Sequence, residues 1–484
     1  MISAYRHIVI CTLLFFSVGV SAQQILTIDN VTSISRNVGQ LLLDQFGLIA
    51  ELDTGVDVFR VTYTATGSDM ELDTASGLIM LPDVIDGDLP VLVYQHGTVD
   101  GRDDVPSNLE GGFQLGLIFA AKNMAVIAPD FLGLGTSRGF HPYVHASTEA
   151  TAAVDMLDAS LAWMEENNIG WNEQLFITGY SQGGHAAMAL HQYIEREIPE
   201  RYTVTASCPM SGPYSLSGVM RELAFTDEPY SFPSYFAYTV RALREINPGL
   251  YMDESELFED AYLPDIREFI DSGNGLFALN QRLVSTLISE TGAAIPRGLF
   301  RDSILNILEN EDDHPIVQAL AESDVYDWTP SAPVLMLYCP TDNQVPFANA
   351  IIADSVMNAR GAEQVMSMDV SDGRFFDHTD CVIPALNVAI PWILGFVDTT
   401  TPVPNVPITT LSVFPNPASD MFYILHPDGV ERIRIYSLGG QLIRSLDYQG
   451  DRTIELDIQD LEQGLYLIGI ESESTQELVK MVVE

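Results

Sequence analysis

One serine of the sequence lies between two glycines, in the run Gly-Tyr-Ser-Gln-Gly at residues 179–183. An apolar run precedes it and an Ala-rich helical pattern follows at once. A strand, this turn and a helix make a nucleophile elbow, which holds the serine hydroxyl above a sheet at the amino end of a helix. Because a serine hydroxyl is a weak nucleophile until a base takes its proton, and an acid must orient that base, Ser181 needs a histidine and a carboxylate.

Four histidines lie between the serine and a Pro-Thr-rich stretch near residue 400. His185 and His191 fall on the helical pattern after Ser181 and cannot fold back over it. His314 lies in an acidic loop. His378 follows the last strand-like segment and precedes a final helical pattern, so it has the position of the base in the chain order Ser, Asp or Glu, then His. We predict His378 as the base.

The acid is assigned by its place at a strand end. Asp342 follows the strand-like run PVLMLYC, and ligands of open α/β sheets bind at the carboxyl ends of the strands. Asp377 and Asp380 flank His378, but neighbours in sequence seldom bond the ring beside them. We favour Asp342, and the other two remain alternatives.

Backbone amides complete the predicted site. The N–H of Gln182 points to where an oxyanion would form, and the loop YQHGTVD offers the N–H of Thr98 as a second donor. We interpret His96 of that loop as a brace. The glycine spacing of residues 129–143, PDFLGLGTSRGFHPY, does not fit a dinucleotide fingerprint. We expect this segment to pack against the elbow and line the site.

The cysteines indicate an exported protein with one disulfide. Cys11 leaves with a predicted signal peptide, so Cys208, Cys339 and Cys381 remain. Because the acid and base loops must lie together, we predict a Cys339–Cys381 bridge and a buried, free Cys208. No CxxC or HExxH spacing occurs, so neither a metal nor a cofactor is predicted.

Composition excludes several classes of partner. Residues 1–22 read as a secretory signal peptide, and no other run approaches a spanning helix, so the mature chain is not expected to be a transmembrane protein. The full chain has 22 basic and 67 acidic residues, a net charge of −45. Such a charge repels nucleic acid, and an acidic, solvated surface is predicted.

Residues 23–398 read as an α/β domain with a mostly parallel sheet, because strand and helix patterns alternate. The first strands lack intervening helices and indicate an antiparallel edge. A long, mostly helical and aromatic stretch, about residues 213–330, predicts a cap inserted over the sheet. Strands are predicted at 58–64, 75–81, 90–95, 125–130, 174–179, 202–208 and 332–339, and helices at 150–166 and 183–197.

Five segments together resemble the α/β-hydrolase superfamily: HGT, the DFLGLGTS…HPY loop, GYSQGG, PTDNQVP and DHTDC. They are most similar to its secretory lipase and carboxylesterase branch, across about residues 50–398. The resemblance implies hydrolysis of a carboxylic ester substrate, with Ser181 attacking, His378 moving the proton and Asp342 orienting it. A serine peptidase and a non-catalytic binding protein on this fold are the alternatives. A peptidase normally carries a further specificity domain, and a binding protein usually loses one of the three residues.

The tail follows a linker at 399–410. Short alternating strands are predicted at 431–437, 441–446, 453–458 and 465–471, with a hairpin turn at Gly439 and Gly440, and they indicate a small β-sandwich at 411–484. Its segments VFPNPASDMF, LEQGLYLIGI and ELVKMVV resemble the C-terminal sorting domain of type IX secretion substrates. The resemblance implies a Bacteroidota-type envelope, the type IX machinery as a partner, and export through the periplasm to the cell surface or medium. A carbohydrate-binding module is the alternative, although no row of exposed aromatic residues is evident.

Overall fold

The computed structural model describes residues 23–398 continuously and the C-terminal part in segments. Those segments are 412–414, 418, 421–437, 442–459, 461, 463–472 and 476–483. The predicted signal peptide and the predicted linker lie outside the described residues.

Nine strands of residues 23–398 form one sheet. They are β1 (Ile25–Ile34), β2 (Val56–Thr66), β3 (Leu72–Pro82), β4 (Leu89–Gln95), β5 (Ala125–Pro129), β6 (Trp171–Tyr180), β7 (Val204–Met210), β8 (Val334–Tyr338) and β9 (Val365–Asp369). Every strand predicted from the sequence is present, with ends shifted by a few residues. The strand β1 was missed, because none of its residues is fully buried and they carry no regular apolar alternation.

Twelve α-helices accompany the strands in the described residues. They are α1 (Arg36–Phe46), α2 (Gln114–Ala120), α3 (Ala146–Glu166), α4 (Gln182–Glu197), α5 (Arg221–Leu223), α6 (Ser234–Ile246), α7 (Leu263–Ser272), α8 (Leu276–Thr291), α9 (Asp302–Asn310), α10 (Pro315–Ala321), α11 (Ala348–Ala359) and α12 (Val382–Leu394). No helix of the described residues is long and apolar enough to cross a membrane.

The strand order is β1-β2-β3-β5-β4-β6-β7-β8-β9. The first three strands run antiparallel and β3 also pairs antiparallel with β5, whereas all later neighbours are parallel. This is the predicted antiparallel edge on a parallel sheet. The central strands β4 and β5 are buried along their whole length, as apolar strands covered by helices on both faces should be. The α/β class is confirmed.

The cap lies between β7 and β8 and contains helices α5 to α10. Its helices share an apolar core of their own, built from residues such as Leu243, Phe258, Ile266 and Leu283, each 2% exposed or less. Tyr143 and Val144, from the segment before α3, join this core. The cap therefore packs onto the loops at the sheet edge where the elbow lies.

The C-terminal part is all-β, as predicted, with β10 (Ser412–Phe414), β11 (Met421–Ser437), β12 (Leu442–Asp457), β13 (Gly464–Glu471) and β14 (Gln476–Val483). Its strands pair antiparallel. Separate strands predicted at 441–446 and 453–458 are instead one strand, β12. Its pairing with β11 shifts register near Val430, and such bulges bend a strand without ending its ladder. The predicted turn at Gly439 and Gly440 lies outside the described residues.

Candidate active site

The elbow between β6 and α4 holds Ser181 in a backbone conformation that non-glycine residues seldom adopt, with φ 62° and ψ −124°. The turn is closed by close backbone approaches. A Cβ on Gly179 would lie 2.2 Å from the carbonyl oxygen of Gly183, and a Cβ on Gly183 would lie 2.1 Å from that of Gln95. Both glycines are therefore required for the turn, which lifts Ser181 above the end of β6.

The structure brings together the three residues named from the sequence. Ser181 Oγ lies 2.8 Å from His378 Nε2, and His378 Nδ1 lies 2.6 Å from Asp342 Oδ2. The Ser181 and His378 residues are 8% and 5% exposed. With Nδ1–H donating to the carboxylate, Nε2 is left as the acceptor for the serine hydroxyl, which is the tautomer that a general base needs.

Two neighbours fix the backbone of His378. The Tyr180 hydroxyl donates to the His378 carbonyl at 2.6 Å, and the His378 N–H donates to Asn343 Oδ1 at 3.2 Å. Burial raises the pKa of Tyr180 above its usual value, so this hydroxyl remains a donor. Tyr180, which precedes Ser181 in the chain, therefore fixes the backbone of His378, whose ring contacts Ser181.

Asp342 is oriented by the chain that follows it. Its Oδ1 accepts hydrogen bonds from the N–H groups of Gln344 and Val345, both at 2.9 Å, which leaves Oδ2 for the histidine ring. The alternatives face elsewhere: Asp377 Oδ1 accepts from the N–H of Asp380. Within the described residues neither of these two carboxylates hydrogen-bonds to the His378 ring.

The loops of Asp342 and His378 are also joined to each other. A disulfide links Cys339 to Cys381, the predicted pairing, and Cys208 is free and buried, also as predicted. Thr341 donates through Oγ1 to the Phe376 carbonyl at 2.7 Å and accepts from the Phe376 N–H at 3.0 Å. The acid and the base are therefore carried by one covalently braced pair of loops.

Two free backbone donors lie beside the serine. Gln182 is the first residue of α4. Gly97, which precedes Thr98, lies against Ser181, because a Cβ built on Gly97 would be 3.8 Å from the Cβ of Ser181. Neither the Gln182 N–H nor the Thr98 N–H donates to any described residue. Both N–H groups are unpaired among the described residues, so they stay our candidates for binding an anion at Ser181, where the helix dipole of α4 favours negative charge. The Thr98 side chain is held by Tyr143, whose hydroxyl oxygen lies 2.9 Å from Thr98 Oγ1.

The Gln182 side chain belongs to a buried polar network that the sequence did not reveal. Its Nε2 lies 2.8 Å from His141 Nε2 and 3.0 Å from Glu149 Oε1. Burial lowers the pKa of His141 to about 3, so its ring is neutral. Nδ1 donates to the Leu132 carbonyl at 2.8 Å and Nε2 accepts from Gln182. As expected, residues 129–143 pack against the elbow.

The second half of the network is an ion pair beneath the elbow. His185 Nδ1 lies 2.7 Å from Glu149 Oε2, and its Nε2 lies 2.8 Å from the Ser323 carbonyl. Burial disfavours charge on this ring, but the Glu149 carboxylate, the Ser323 carbonyl and Asp324 together outweigh burial and raise the pKa of His185. Both ring nitrogens face oxygens that can only accept, so the ring donates from both as an imidazolium. A carboxylate at the start of a helical pattern carried no signal of this partnership in the sequence.

The other histidines have structural roles. His96 binds the carbonyls of Gly97 and Asp130 at 2.8 and 3.1 Å, which makes it the predicted brace. His191 binds the Ser207 hydroxyl at 2.7 Å. His314 caps α10 by accepting from a backbone N–H. None of these rings hydrogen-bonds to the serine within the described residues, and no group of three or more His, Cys, Asp or Glu there could hold a metal.

A cavity that is partly open to solvent extends from the serine into the cap. Its walls are mostly apolar and come from the cap and from the segment before α3. They include Ser181, Tyr143, Tyr235, Phe236, Phe300 and Ile304. Arg221 also lines it, and its guanidinium pairs with Asp312 at 2.9 Å. Ser181 therefore lies at a cavity whose walls are mostly apolar.

Comparisons with known proteins agree with this arrangement. Residues 412–484 match the family described as the secretion system C-terminal sorting domain. The esterase LipA of Xanthomonas oryzae, a rice cell wall degrading enzyme, is 25% identical over 75% of this chain and 94% of its own, with a TM-score of 0.66. The chain has the α/β-hydrolase fold and ends in a sorting domain. A search of curated protein sequences found no match.

Two further solved structures resemble the hydrolase domain. A putative hydrolase of Legionella pneumophila is 24% identical over 78% of this chain and 99% of its own, with a TM-score of 0.69. Lipase A of Candida antarctica is 15% identical over 73% of this chain and 77% of its own, with a TM-score of 0.54. At these identities the likeness supports a hydrolase at the level of the fold. The sorting domain directs the chain to the cell surface or the extracellular space by type IX secretion.

Proposed function

We propose that the protein is a secreted serine esterase or lipase that cleaves carboxylic esters through an acyl-enzyme on Ser181. The observation that carries the proposal is the hydrogen-bonded path from Ser181 Oγ through the His378 ring to Asp342, at 2.8 and 2.6 Å. An aligned serine, imidazole and carboxylate is the arrangement that turns a hydroxyl into a nucleophile.

The acylation step begins when Ser181 Oγ attacks the ester carbonyl carbon and His378 Nε2 takes the hydroxyl proton. The carbonyl oxygen becomes an oxyanion, which the N–H groups of Gln182 and Thr98 stabilise. Asp342 holds the ring in its tautomer and stabilises the imidazolium. His378 then donates the proton to the leaving alcohol, and the C–O bond to the alcohol breaks.

In the deacylation step, water takes the part that the Ser181 hydroxyl has in acylation. His378 takes a proton from the water, whose oxygen attacks the acyl carbon on Ser181. Collapse of the second tetrahedral intermediate returns the proton to Ser181 Oγ and releases the carboxylic acid. The side chains of the site account for each proton transfer, because every transfer is between His378 Nε2 and an oxygen of Ser181, the ester or water.

The apolar cavity favours an ester with an apolar acyl group. The walls near Ser181, such as Phe236 and Ile304, offer an acyl chain little to hydrogen-bond and much surface to bury. Each buried methylene contributes about 0.8 kcal/mol, so kcat/KM should rise by up to about fourfold per methylene until the cavity is filled. Two of the solved neighbours are named an esterase and a lipase, which also supports an ester rather than a peptide as the substrate.

The test is hydrolysis of a p-nitrophenyl ester series, from acetate upward, beside a series of peptide anilides. We expect ester turnover that rises with acyl length to a maximum and is lost in Ser181→Ala, with no anilide cleavage. Anilide cleavage that exceeds ester cleavage would favour a serine peptidase. Activity on neither series, with saturable ester binding, would favour a binding protein.

A further inference from the structure

Two tyrosines of the cap bind the loop that carries Asp342. The Tyr230 hydroxyl donates to the backbone carbonyl of Gln344 at 2.8 Å, and the Tyr235 hydroxyl donates to the side-chain Oε1 of the same residue at 2.7 Å. All three residues are buried, at 7%, 8% and 7% exposed. One residue of the hydrolase core therefore receives two hydrogen bonds from the cap.

Gln344 also hydrogen-bonds to Asp342, the proposed acid. Its N–H donates to Asp342 Oδ1 at 2.9 Å, and the other carboxylate oxygen lies 2.6 Å from His378 Nδ1. The path from Tyr235 to the histidine ring is continuous, and each link is 2.9 Å or shorter. A shift of residue 344 would therefore move the carboxylate against the ring.

The direction of both cap bonds is fixed by chemistry. A backbone carbonyl and an amide oxygen can only accept, so both tyrosines must donate. Burial raises the pKa of Tyr230 and that of Tyr235 well above the usual value. Both hydroxyls therefore keep their protons across the working pH range of a hydrolase.

The same two rings line the cavity that opens on Ser181, together with Val345. An acyl chain in the cavity would thus press on the residues that hold the acid loop. We infer that Tyr230 and Tyr235 are positioning residues that act through Gln344 to hold Asp342 in line with His378. The inference rests on the proposed esterase function and concerns kcat rather than substrate binding.

The experiment is a double-mutant cycle on the Tyr235–Gln344 bond in the full-length protein. Tyr235→Phe and Gln344→Met each remove that bond while keeping most of the side-chain volume. Each should lower kcat for p-nitrophenyl esters about threefold to tenfold with little change in KM, since one hydrogen bond is lost. The double variant should be no slower than either single variant, because all three lack the same bond.

A second double-mutant cycle, on Tyr230 and Gln344, gives a comparison in which the two variants remove different bonds. Tyr230 binds the backbone carbonyl, which Gln344→Met leaves in place, so the effects of Tyr230→Phe and Gln344→Met on kcat should multiply. Tyr251→Phe is the matched control, because its hydroxyl contacts the Val240 carbonyl at 3.4 Å, inside the cap. It should leave kcat unchanged.

Proton NMR supplies a readout that does not depend on turnover. The Nδ1 proton of His378, bonded to Asp342, should give a far-downfield resonance that shifts or broadens in Tyr235→Phe and not in Tyr251→Phe. Wild-type kcat with an unchanged resonance in Tyr235→Phe, a change in KM alone, or multiplying effects of Tyr235→Phe and Gln344→Met would each overturn the inference. A wild-type protein inactive on esters would instead overturn the proposed function, and the resonance would still test the positioning.

Discussion

Cys339 and Cys381 are joined by a disulfide, and the two residues flank the acid and the base of the site. Cys339 precedes Asp342 by three residues and Cys381 follows His378 by three. The bond closes a sequence separation of 42 residues. The geometry of the acid and the base is therefore covalently restrained, on loops that otherwise meet through a few hydrogen bonds.

Loss of this bond should destabilise the protein and weaken catalysis. Closing a loop of this length lowers the conformational entropy of the unfolded chain. In the chain-entropy account this stabilises the folded protein by about 4 kcal/mol, and measured stabilisations are commonly about 2–4 kcal/mol. The double variant Cys339→Ala, Cys381→Ala should lose that much free energy of unfolding in urea titrations.

The control for the disulfide is the third cysteine. Cys208→Ala removes a buried thiol without touching the bond, so reductant should destabilise this variant as much as the wild type. Peptide mapping without reduction should recover Cys339 with Cys381. Three free thiols, or a bridge that includes Cys208, would show the pairing to be wrong.

The Ser–His–Asp set should act as one unit in kinetics. Ser181→Ala and His378→Ala should each lower kcat on p-nitrophenyl esters by on the order of 10⁴-fold or more, with KM little changed. Asp342→Asn should be less severe, on the order of 10³ to 10⁴-fold, because the serine and the histidine remain. Asp380→Asn is the matched control and should stay near the wild-type rate. A dead Asp380→Asn with an active Asp342→Asn would reverse our assignment of the acid.

The buried Glu149–His185 pair should give the stability a pH dependence. Burial lowers the pKa of His185 in the folded protein, but the Glu149 carboxylate, with the Ser323 carbonyl and Asp324, raises it above its usual value. Its contribution to the free energy of unfolding is therefore full below about pH 6.5, the unfolded value, and is lost as pH rises through the folded pKa. Wild-type stability should fall with rising pH in that window.

The variant Glu149→Gln tests the source of this dependence. Removing one partner of a buried pair typically costs about 3–5 kcal/mol, and the fall of stability above pH 6.5 should disappear. Glu290→Gln, at an exposed position on α8, should keep the wild-type profile. Urea unfolding from pH 6 to pH 9 measures all three proteins. A Glu149→Gln profile parallel to the wild type would mean that His185 is not charged in the folded state.

Much of the site could be predicted from the sequence because its signals are local. The elbow needs Gly179 and Gly183 for steric reasons, and a carboxylate after a strand such as β8 must lie at the sheet edge. The α/β class followed from alternating apolar strands and helical patterns. Each of these inferences used residues that are neighbours along the chain.

The rest of the site depends on contacts between distant residues. Glu149 lies within α3 and meets His185 across 36 positions, and Tyr235 meets Gln344 across 109. From the sequence alone, a polar residue in a helical pattern is expected to be exposed to solvent, because its burial depends on tertiary packing. The strand β1 was missed for a similar reason, because it forms by pairing with β2 at the sheet edge although none of its residues is fully buried.

The sorting domain should be dispensable for catalysis. Every residue of the proposed mechanism lies before residue 398, and the described strands β10 to β14 share a separate apolar core. A protein of residues 23–400 should therefore fold and hydrolyse esters at nearly the full-length rate. In the native host, deletion of the tail should leave the enzyme in the periplasm, whereas the full-length protein should lose its tail on export. A truncated protein that is folded but inactive on every ester would place the tail in the substrate site.

The central claim is that Ser181 forms a covalent intermediate, and a p-nitrophenyl phosphonate tests it most directly. The reagent should release one equivalent of p-nitrophenolate, abolish ester hydrolysis, and add its phosphonyl mass to the peptide that contains Ser181. His378→Ala should slow the labelling strongly, and Asp380→Asn should not. Inactivation with the mass on another residue, or full ester hydrolysis by a protein labelled at Ser181, would contradict the account.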